Sequence, residues 1–580
     1  MLSRFRFDAK VGVASRRYLS IIAFSMILVV SATGAAILNT DSGRVIVSVV
    51  TVPDGNLQLS ALVYRPADSV LGDRRAGVVL AHGISESKET MSGMALELAK
   101  QGLVALTVDL VGHGGSGGAL GGTDDDTLGM MAAVNYLRSL PYVEPALVGL
   151  VGHSLGADAA ANVLLNSSDI FATVLIGGGI AAQSAGSPAL NSTFPMNLLV
   201  IVGTQDVLFD IFQLEASSLP PVFGSSRVVP GVLYGSFAGR TARELITPAT
   251  THLLESIDPS VVSTVVQWFR SALVAGAGVL APSGLTYLAR DALIVVSLIA
   301  FVGLVFPISG LLLRPSAVAG GGEGRDSALG TWKTMAIWGI LNLGLFLPMV
   351  FAGLVIAFPP LIFGSSIAWW LLATGLAGLV FARFLLHRFS TVRFTIRETF
   401  RKSFDRRGVA VAIAIFLLLY VLADAYSSAF SFSLRLIVPI SREMSPDVRV
   451  PYFFIFVPFF LVYFWVEAVY ILQLNSNAGR GGLLKGRASL LKAIAIKVVP
   501  FVLLISVDYL PSAFFGVRLF PSLVGFILMF LWLIAPLFTL TTAVSWWTYR
   551  ITGHVGTGAL LNALLMAWVA AVAFPLGVFL

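Results

Sequence analysis

From residue 292 onward the chain is dominated by apolar runs long enough to cross a membrane: 292–313, 334–356, 364–386, 409–426, 451–474, 493–510, 519–545 and 557–579. A helix rises about 1.5 Å per residue, so about twenty apolar residues cross a hydrocarbon core ~30 Å thick. Lipid offers no partners to backbone N–H and C=O groups, so spans of this length are expected as helices. Lys497 and Asp508 interrupt 493–510 and make it the least regular of the eight. A ninth run, LSIIAFSMILVVSATGAAI at 19–37, follows Arg4, Arg6, Lys10, Arg16 and Arg17, opposed by Asp8 alone. ATGAA resembles a cleavage region, but the run is long enough to span, and it reads as an uncleaved anchor.

Charge orients the spans. With 38–290 outside, the inner connections are 314–333, 387–408, 475–492 and 546–556. The second holds Arg388, Arg393, Arg397, Arg401, Lys402, Arg406 and Arg407 against Glu398 and Asp405. The third holds Arg480, Lys485, Arg487 and Lys492 with no acid. The outer connections 357–363 and 511–518 hold one basic residue between them, Arg518, and the outer loop 427–450 is mixed. The positive-inside rule then expects a cytoplasmic N-terminus and an extracytoplasmic 38–290, in an integral protein of the cell or cytoplasmic membrane.

Several function classes fall away. The chain is 56% hydrophobic over 580 residues, far beyond a soluble protein. It has no cysteine, so neither disulfides nor thiolate metal sites can form. Its six histidines show no metal-ligand spacing, and no phosphate-loop or haem signature occurs, so no metal and no cofactor are expected. The basic residues cluster beside apolar runs, which argues for topology and against nucleic-acid binding. The expected divisions are an anchor at 1–40, a mixed-polarity domain at 41–276, a linker at 277–290 and a polytopic membrane domain at 291–580.

Residues 41–276 alternate strands and helices. RVIVSVVTV (44–52) and LQLSALVYRP (57–66) flank PDGN as an antiparallel pair. AGVVLAHG (76–83), GLVALTVDL (102–110), ALVGLVG (146–152), FATVLIGGG (171–179) and MNLLVIVG (196–203) read as strands. Helices are expected near 87–101, from Thr123 to about 139, at 155–165 and at 259–274. Continuous apolar strands alternating with helices predict an α/β fold with a mostly parallel sheet covered on both faces.

Two serines sit in Gly-x-Ser-x-Gly. Ser116, in GGSGG, has no apolar strand immediately before it and no helix after it. Ser154, in GLVGHSLGADAA, follows a buried strand and starts a helix. Gly152 and Gly156 allow a sharp turn there, and a helix N-terminus stabilises developing negative charge. A nucleophilic serine needs a base, and the base needs an orienting acid. Asp206, after NLLVIVG, and His252, closing LITPATTH, follow in that order. Each also has a structural reading: Ser154 as a helix cap, Asp206 as a cap near Val207, His252 as a surface loop residue.

Together these segments resemble the α/β-hydrolase superfamily, in its serine aminopeptidase and monoacylglycerol-lipase-like branch. LAHGISESKE (80–89), VDLVGHGGSGG (108–118), VGHSLGA (151–157), VIVGTQDVL (200–208) and THLLE (251–255) carry the resemblance, which covers about 43–275. It implies Ser154 as nucleophile, His252 as base and Asp206 as orienting acid. It also implies an oxyanion hole from the backbone N–H groups of Ile84 and Leu155, and structural roles for His82 and His113. Val111 stands where the family usually has arginine. The 52 residues from Ser154 to Asp206 leave no room for a large lid, so the membrane side is expected to bound the site.

The expected function is a membrane-bound serine hydrolase cleaving an ester or amide bond, its substrate lipid-linked or amphipathic. A membrane-tethered peptidase acting on peptide substrates is the closest enzymatic rival, and a second acceptor in place of water would give an acyltransferase. A transporter or receptor with a catalytically dead binding module is the rival of another class, and the intact Ser-Asp-His order argues against it. Membrane lipids are expected partners; no protein partner is indicated. Asp424, Glu467 and Asp508 lie in or near spans, where carboxylates are costly and often functional.

Overall fold

The first helix, α1 (Leu2–Asn39), leads directly into a sheet built by the strand–helix alternation. The computed structural model describes residues 2–179, 190–209, 211, 214–274, 284–315, 331–389, 395–435, 439–445, 448–473, 489–515, 519–520 and 522–577. Strands β1 (Val45–Asp54) and β2 (Leu57–Pro66) pair antiparallel from Val45↔Pro66 to Asp54↔Leu57. Gly55 turns that hairpin with a φ of 55°, a conformation glycine adopts at no steric cost. Then come β3 (Arg75–Ala81), β4 (Val104–Val108), β5 (Val143–His153), β6 (Ala172–Ile176), β7 (Leu198–Ile201) and β8 (Arg243–Ile246). The eight strands lie in the order β1-β2-β4-β3-β5-β6-β7-β8. β2 is antiparallel to β4, and every pairing from β4 to β8 is parallel.

The unbroken apolar strands are buried on both faces. In β3, Val79 and Ala81 join the core that includes Met130 and Val134 of α3 (Met130–Ser139) and Val163 of α4 (Leu155–Asn166). Val78 and Leu80 turn the other way. They join the core that includes Leu96 of α2 (Ser92–Ala99) and Phe269 of α5 (Pro259–Leu273). The period of two assigns alternate residues to opposite layers, and helices cover both. One expectation fails here: α3 starts at Met130, not at Thr123. Asp125 instead closes a turn, accepting from the N–H of Thr127 (2.9 Å) and of Gly129 (2.8 Å). Gly129, at φ 86°, breaks any continuous helix.

Nine helices among the described residues are long and apolar enough to span a membrane. They are Ala14–Asn39, Thr286–Leu312, Ala336–Ile356, Gly364–Phe384, Arg406–Phe430, Arg449–Leu472, Ser489–Phe515, Leu523–Thr552 and Gly556–Ala573. Pro458, Pro500 and Pro536 lie inside helices that continue through them. The anchor helix packs on Thr286–Leu312, where Ser31 and Ser297 hydroxyls meet at 2.7 Å. Small residues allow this approach: Gly34 faces Leu293, and Gly303 faces Phe24.

The membrane region grips the sheet at its loop after β4. Leu120 N–H donates to Leu576 O (2.8 Å), and Leu576 N–H donates to Gly112 O (2.9 Å). Arg449 donates to Gly112 O (3.2 Å) and also to the carbonyls of Ala571 and Phe574 (2.7 Å each), tying the loop to the last helix. Arg442 reaches Asp109 at 3.1 Å, beside the 2.7 Å Lys88–Asp109 pair. Burial alone would raise the Asp109 carboxyl; Lys88 and then Arg442 outweigh it and hold it well below the usual range.

Candidate active site

The site starts at the turn where β5 ends and α4 begins. Ser154 occupies that turn with φ 52° and ψ −117°, a region non-glycine residues rarely enter. The turn is possible because the backbone passes within contact of itself. A Cβ at Gly152 would overlap the Gly156 backbone, and one at Gly156 would overlap Ala81. Ser116, the other serine in this pattern, is 6% exposed and committed. Its hydroxyl donates to Asp109 O (2.6 Å) and accepts from Ser60 N–H (3.0 Å).

Three sequence-distant residues meet here. Ser154 Oγ lies 2.9 Å from His252 Nε2, and His252 Nδ1 lies 2.8 Å from Asp206 Oδ2. Asp206 is fully buried and His252 nearly so. Because the Asp206 carboxylate only accepts, the proton of a neutral His252 sits on Nδ1, leaving Nε2 to accept from Ser154. Asp206 is a local cap as well: Oδ1 accepts from Leu208 N–H at 2.7 Å. One carboxylate does both jobs with its two oxygens.

A second layer was not read from the sequence. His153 lies under the turn between two buried acids, its Nδ1 3.3 Å from Glu86 and its Nε2 3.6 Å from Glu255. Its Nε2 also meets His252 O at 3.0 Å. Glu86 accepts from Gly83 N–H (2.8 Å) and Glu255 from Gly203 N–H (2.6 Å), so each acid pins the loop at a strand end. The available signal was the spacing of Glu255, three residues after His252, which places both on one turn. Burial would lower the His153 pKa; Glu86, and then Glu255, raise it to about 10. Burial pushes the Glu255 carboxyl up.

The charged His153 makes stability depend on pH. Its folded pKa exceeds the ordinary value of 6.5, so its contribution is fully present below 6.5 and disappears as pH rises through about 10. His153→Gln is therefore expected to be less stable than wild type by on the order of 2–5 kcal/mol at neutral pH, the gap closing above the folded pKa. Thermal melts of both proteins across that range check this; a pH-independent gap would contradict it.

His82 and His113 are spent on the scaffold. His82 Nδ1 donates to Gly83 O (2.7 Å) and its Nε2 accepts from Leu110 N–H (3.2 Å). Burial holds the His113 pKa down at about 3, so the ring donates to Val111 O as a neutral group. His153, His252 and Glu255 have ligand atoms within 4.8 Å of one another. The ring nitrogens already meet Ser154, Asp206, Glu86 and the His252 carbonyl, Glu255 Oε1 accepts from Gly203 N–H, and the charged His153 would repel a cation.

The membrane region contributes to the wall of the Ser154 cleft. Gly83, Ile84, Glu86, His153, His252 and Leu253 line it on the hydrolase side. Phe526, Met529, Phe530 and Leu533 of Leu523–Thr552 line it from the membrane region. Ile84, a candidate oxyanion donor, is in this lining. Leu155, the other, is the first residue of α4, where an N–H has no partner within the helix. Asp424, Glu467 and Asp508 are absent from the lining. Glu467 pairs with Lys497 at 2.8 Å, Asp508 is buried within Ser489–Phe515, and Asp424 is half-buried on Arg406–Phe430.

Residues 72–210 match the family described as serine aminopeptidase, S33 (Hydrolase_4). An uncharacterized protein of Escherichia coli K12, YcjY, is 30% identical over 135 residues, which is 23% of this chain and 43% of that protein. The chain thus spans less than half the length of this curated relative. Among solved structures, the Pyrococcus furiosus esterase Pf2001 is 19% identical over 40% of this chain and 96% of its own, with a TM-score of 0.31. Thermogutta terrifontis esterase 2 is 16% identical over 39% of this chain and 95% of its own, with a TM-score of 0.30. The family match, the largely parallel eight-stranded sheet and the long apolar helices identify an S33-like α/β-hydrolase domain fused to a polytopic membrane region.

Proposed function

We propose that the protein is a membrane-bound serine hydrolase that cleaves an ester or amide bond in a lipid-linked or amphipathic substrate. The observation that carries the reading is the hydrogen-bonded chain from Ser154 through His252 to Asp206 in a cleft that Leu523–Thr552 helps to wall. Ser154 Oγ attacks the carbonyl carbon while His252 Nε2 takes its proton. The tetrahedral oxyanion accepts from the N–H groups of Ile84 and Leu155, each such donor worth about 3–4 kcal/mol. The bond to the leaving oxygen or nitrogen breaks as His252 returns the proton to it. Water, activated by the same histidine, then releases the acid and restores Ser154. Asp206 keeps the Nδ1 proton in place and stabilises the imidazolium.

The hydrolase domain, 41–276, is proposed to lie outside the cytoplasm, with the N-terminus inside and 291–580 in the membrane. The basic connections support this orientation. A membrane-impermeant fluorophosphonate tests chemistry and sidedness together. Sealed cells making the protein should be labelled, and the adduct should map to Ser154. Labelling only after permeabilisation would reverse the orientation; none in either case would refute the nucleophile.

A further inference from the structure

Beside the Ser154 cleft lies a chamber of about 490 Å³ between the hydrolase domain and the membrane helices. Leu253 and Leu533 belong to the walls of both spaces, so the chamber adjoins the cleft. Leu254 and Ile257, on the segment just after His252, form its hydrolase side. Ala292 and Val295 come from Thr286–Leu312, and Trp532 from Leu523–Thr552. Asp291 and Arg435, 3.4 Å apart, stand on wall that the cleft does not share.

We infer that this chamber holds the aliphatic chain of an acyl substrate drawn sideways from the bilayer between Thr286–Leu312 and Leu523–Thr552. The inference rests on the reading of Ser154 as nucleophile. Three observations carry it. Apart from Thr90 and Thr251, the lining away from the Asp291–Arg435 pair is aliphatic and aromatic, which favours a chain over a charged head. Two helices that meet lipid supply the outer wall, and that wall is not sealed: Trp532 is 49% exposed and Ala292 is exposed. The shared Leu253 and Leu533 put the chain's carbonyl end next to Ser154. A cavity of about 150 Å³ accepts a six-carbon ring, so this one has room for a chain of roughly ten to eighteen carbons. A longer chain must press on the Asp291–Arg435 pair, whose desolvation is unfavourable. The chamber therefore sets an upper length as well as a preference for length.

Chain-length selectivity in reconstituted full-length protein tests the inference. Wild type should turn over a dodecanoate ester at least about tenfold faster in kcat/KM than the butyrate ester, since each buried methylene contributes about 0.8 kcal/mol. Ala292→Phe and Leu254→Phe fill the chamber from opposite walls, and Leu254 is 41% exposed, so the change is tolerable for folding. Both should lower the dodecanoate-to-butyrate ratio about tenfold. An unchanged ratio in two folded variants would overturn the chamber's role while leaving Ser154-dependent butyrate turnover and fluorophosphonate labelling intact. Loss of those two in wild type would instead overturn the nucleophile. The chamber is then still tested by binding in Ser154→Ala protein. Bromododecanoate should quench tryptophan fluorescence saturably, and Trp532→Phe should remove the saturable part. Quenching that never saturates, or that survives Trp532→Phe, would overturn the inference.

Discussion

Ser154→Ala is expected to lower kcat on the best ester substrate by on the order of a millionfold, with fluorophosphonate labelling abolished. In the proposed mechanism Ser154, His252 and Asp206 act as a unit, so removing the attacking oxygen forfeits nearly all that the other two contribute. The residual rate should come from binding and the oxyanion donors alone. Ser116→Ala is the control, because it shares the Gly-x-Ser-x-Gly pattern. It should retain labelling. Its cost should be about 1–3 kcal/mol of stability, from the buried partners it leaves at Ser60 N–H and Asp109 O. Steady-state kinetics and thermal melts of the two variants separate these outcomes. Turnover by Ser154→Ala within tenfold of wild type would end the assignment.

The largest stability effect is expected in the membrane region. Lys497 Nζ lies 2.8 Å from Glu467, donates to Thr541 Oγ1 at 3.0 Å and sits 4.1 Å from the Phe538 ring centroid. Both charges are almost completely buried. Lys497→Met leaves the Glu467 carboxylate without its counter-ion and should destabilise by about 3–5 kcal/mol. Lys497→Met with Glu467→Gln removes both charges together and should recover most of that loss, because the desolvation of each ion also disappears. Thermal melts of the protein in detergent, as a double-mutant cycle, read the coupling. If Lys497→Met alone were neutral, the pair would not be holding these helices. A single variant that keeps its stability but loses ester turnover would point instead to a functional carboxylate at Glu467.

Much of this protein was legible without coordinates because its signals are local. Span length and uninterrupted apolarity are properties of consecutive residues, and the nine runs correspond to nine long helices among the described residues. Alternating apolar strands and helices are equally local, and they yielded the mostly parallel sheet. The setting of Ser154, a strand before and a helix after, separated it from Ser116. The order of Ser154, Asp206 and His252 identified candidates for a site, but order carries no distance. Their 2.8 and 2.9 Å contacts depend on three strand ends meeting at one edge of the sheet.

Other features had no local signal that named their partners. Glu86 and Glu255 are ordinary acids in sequence. They become partners of His153 only because β3, β5 and the turn after β8 converge beneath Ser154. Lys497 made 493–510 look like a poor span, since sequence shows a charge but not its counter-ion 30 residues away. The short interval after Ser154 was readable. That Phe526, Met529 and Phe530 line the cleft could not be read, because they lie more than 270 residues beyond His252 and share no sequence pattern with it. Periodicity and length act through neighbouring residues and survive in the sequence. Pairing of charges and closure of a cleft depend on which distant surfaces meet, and only the packing of the whole chain decides that.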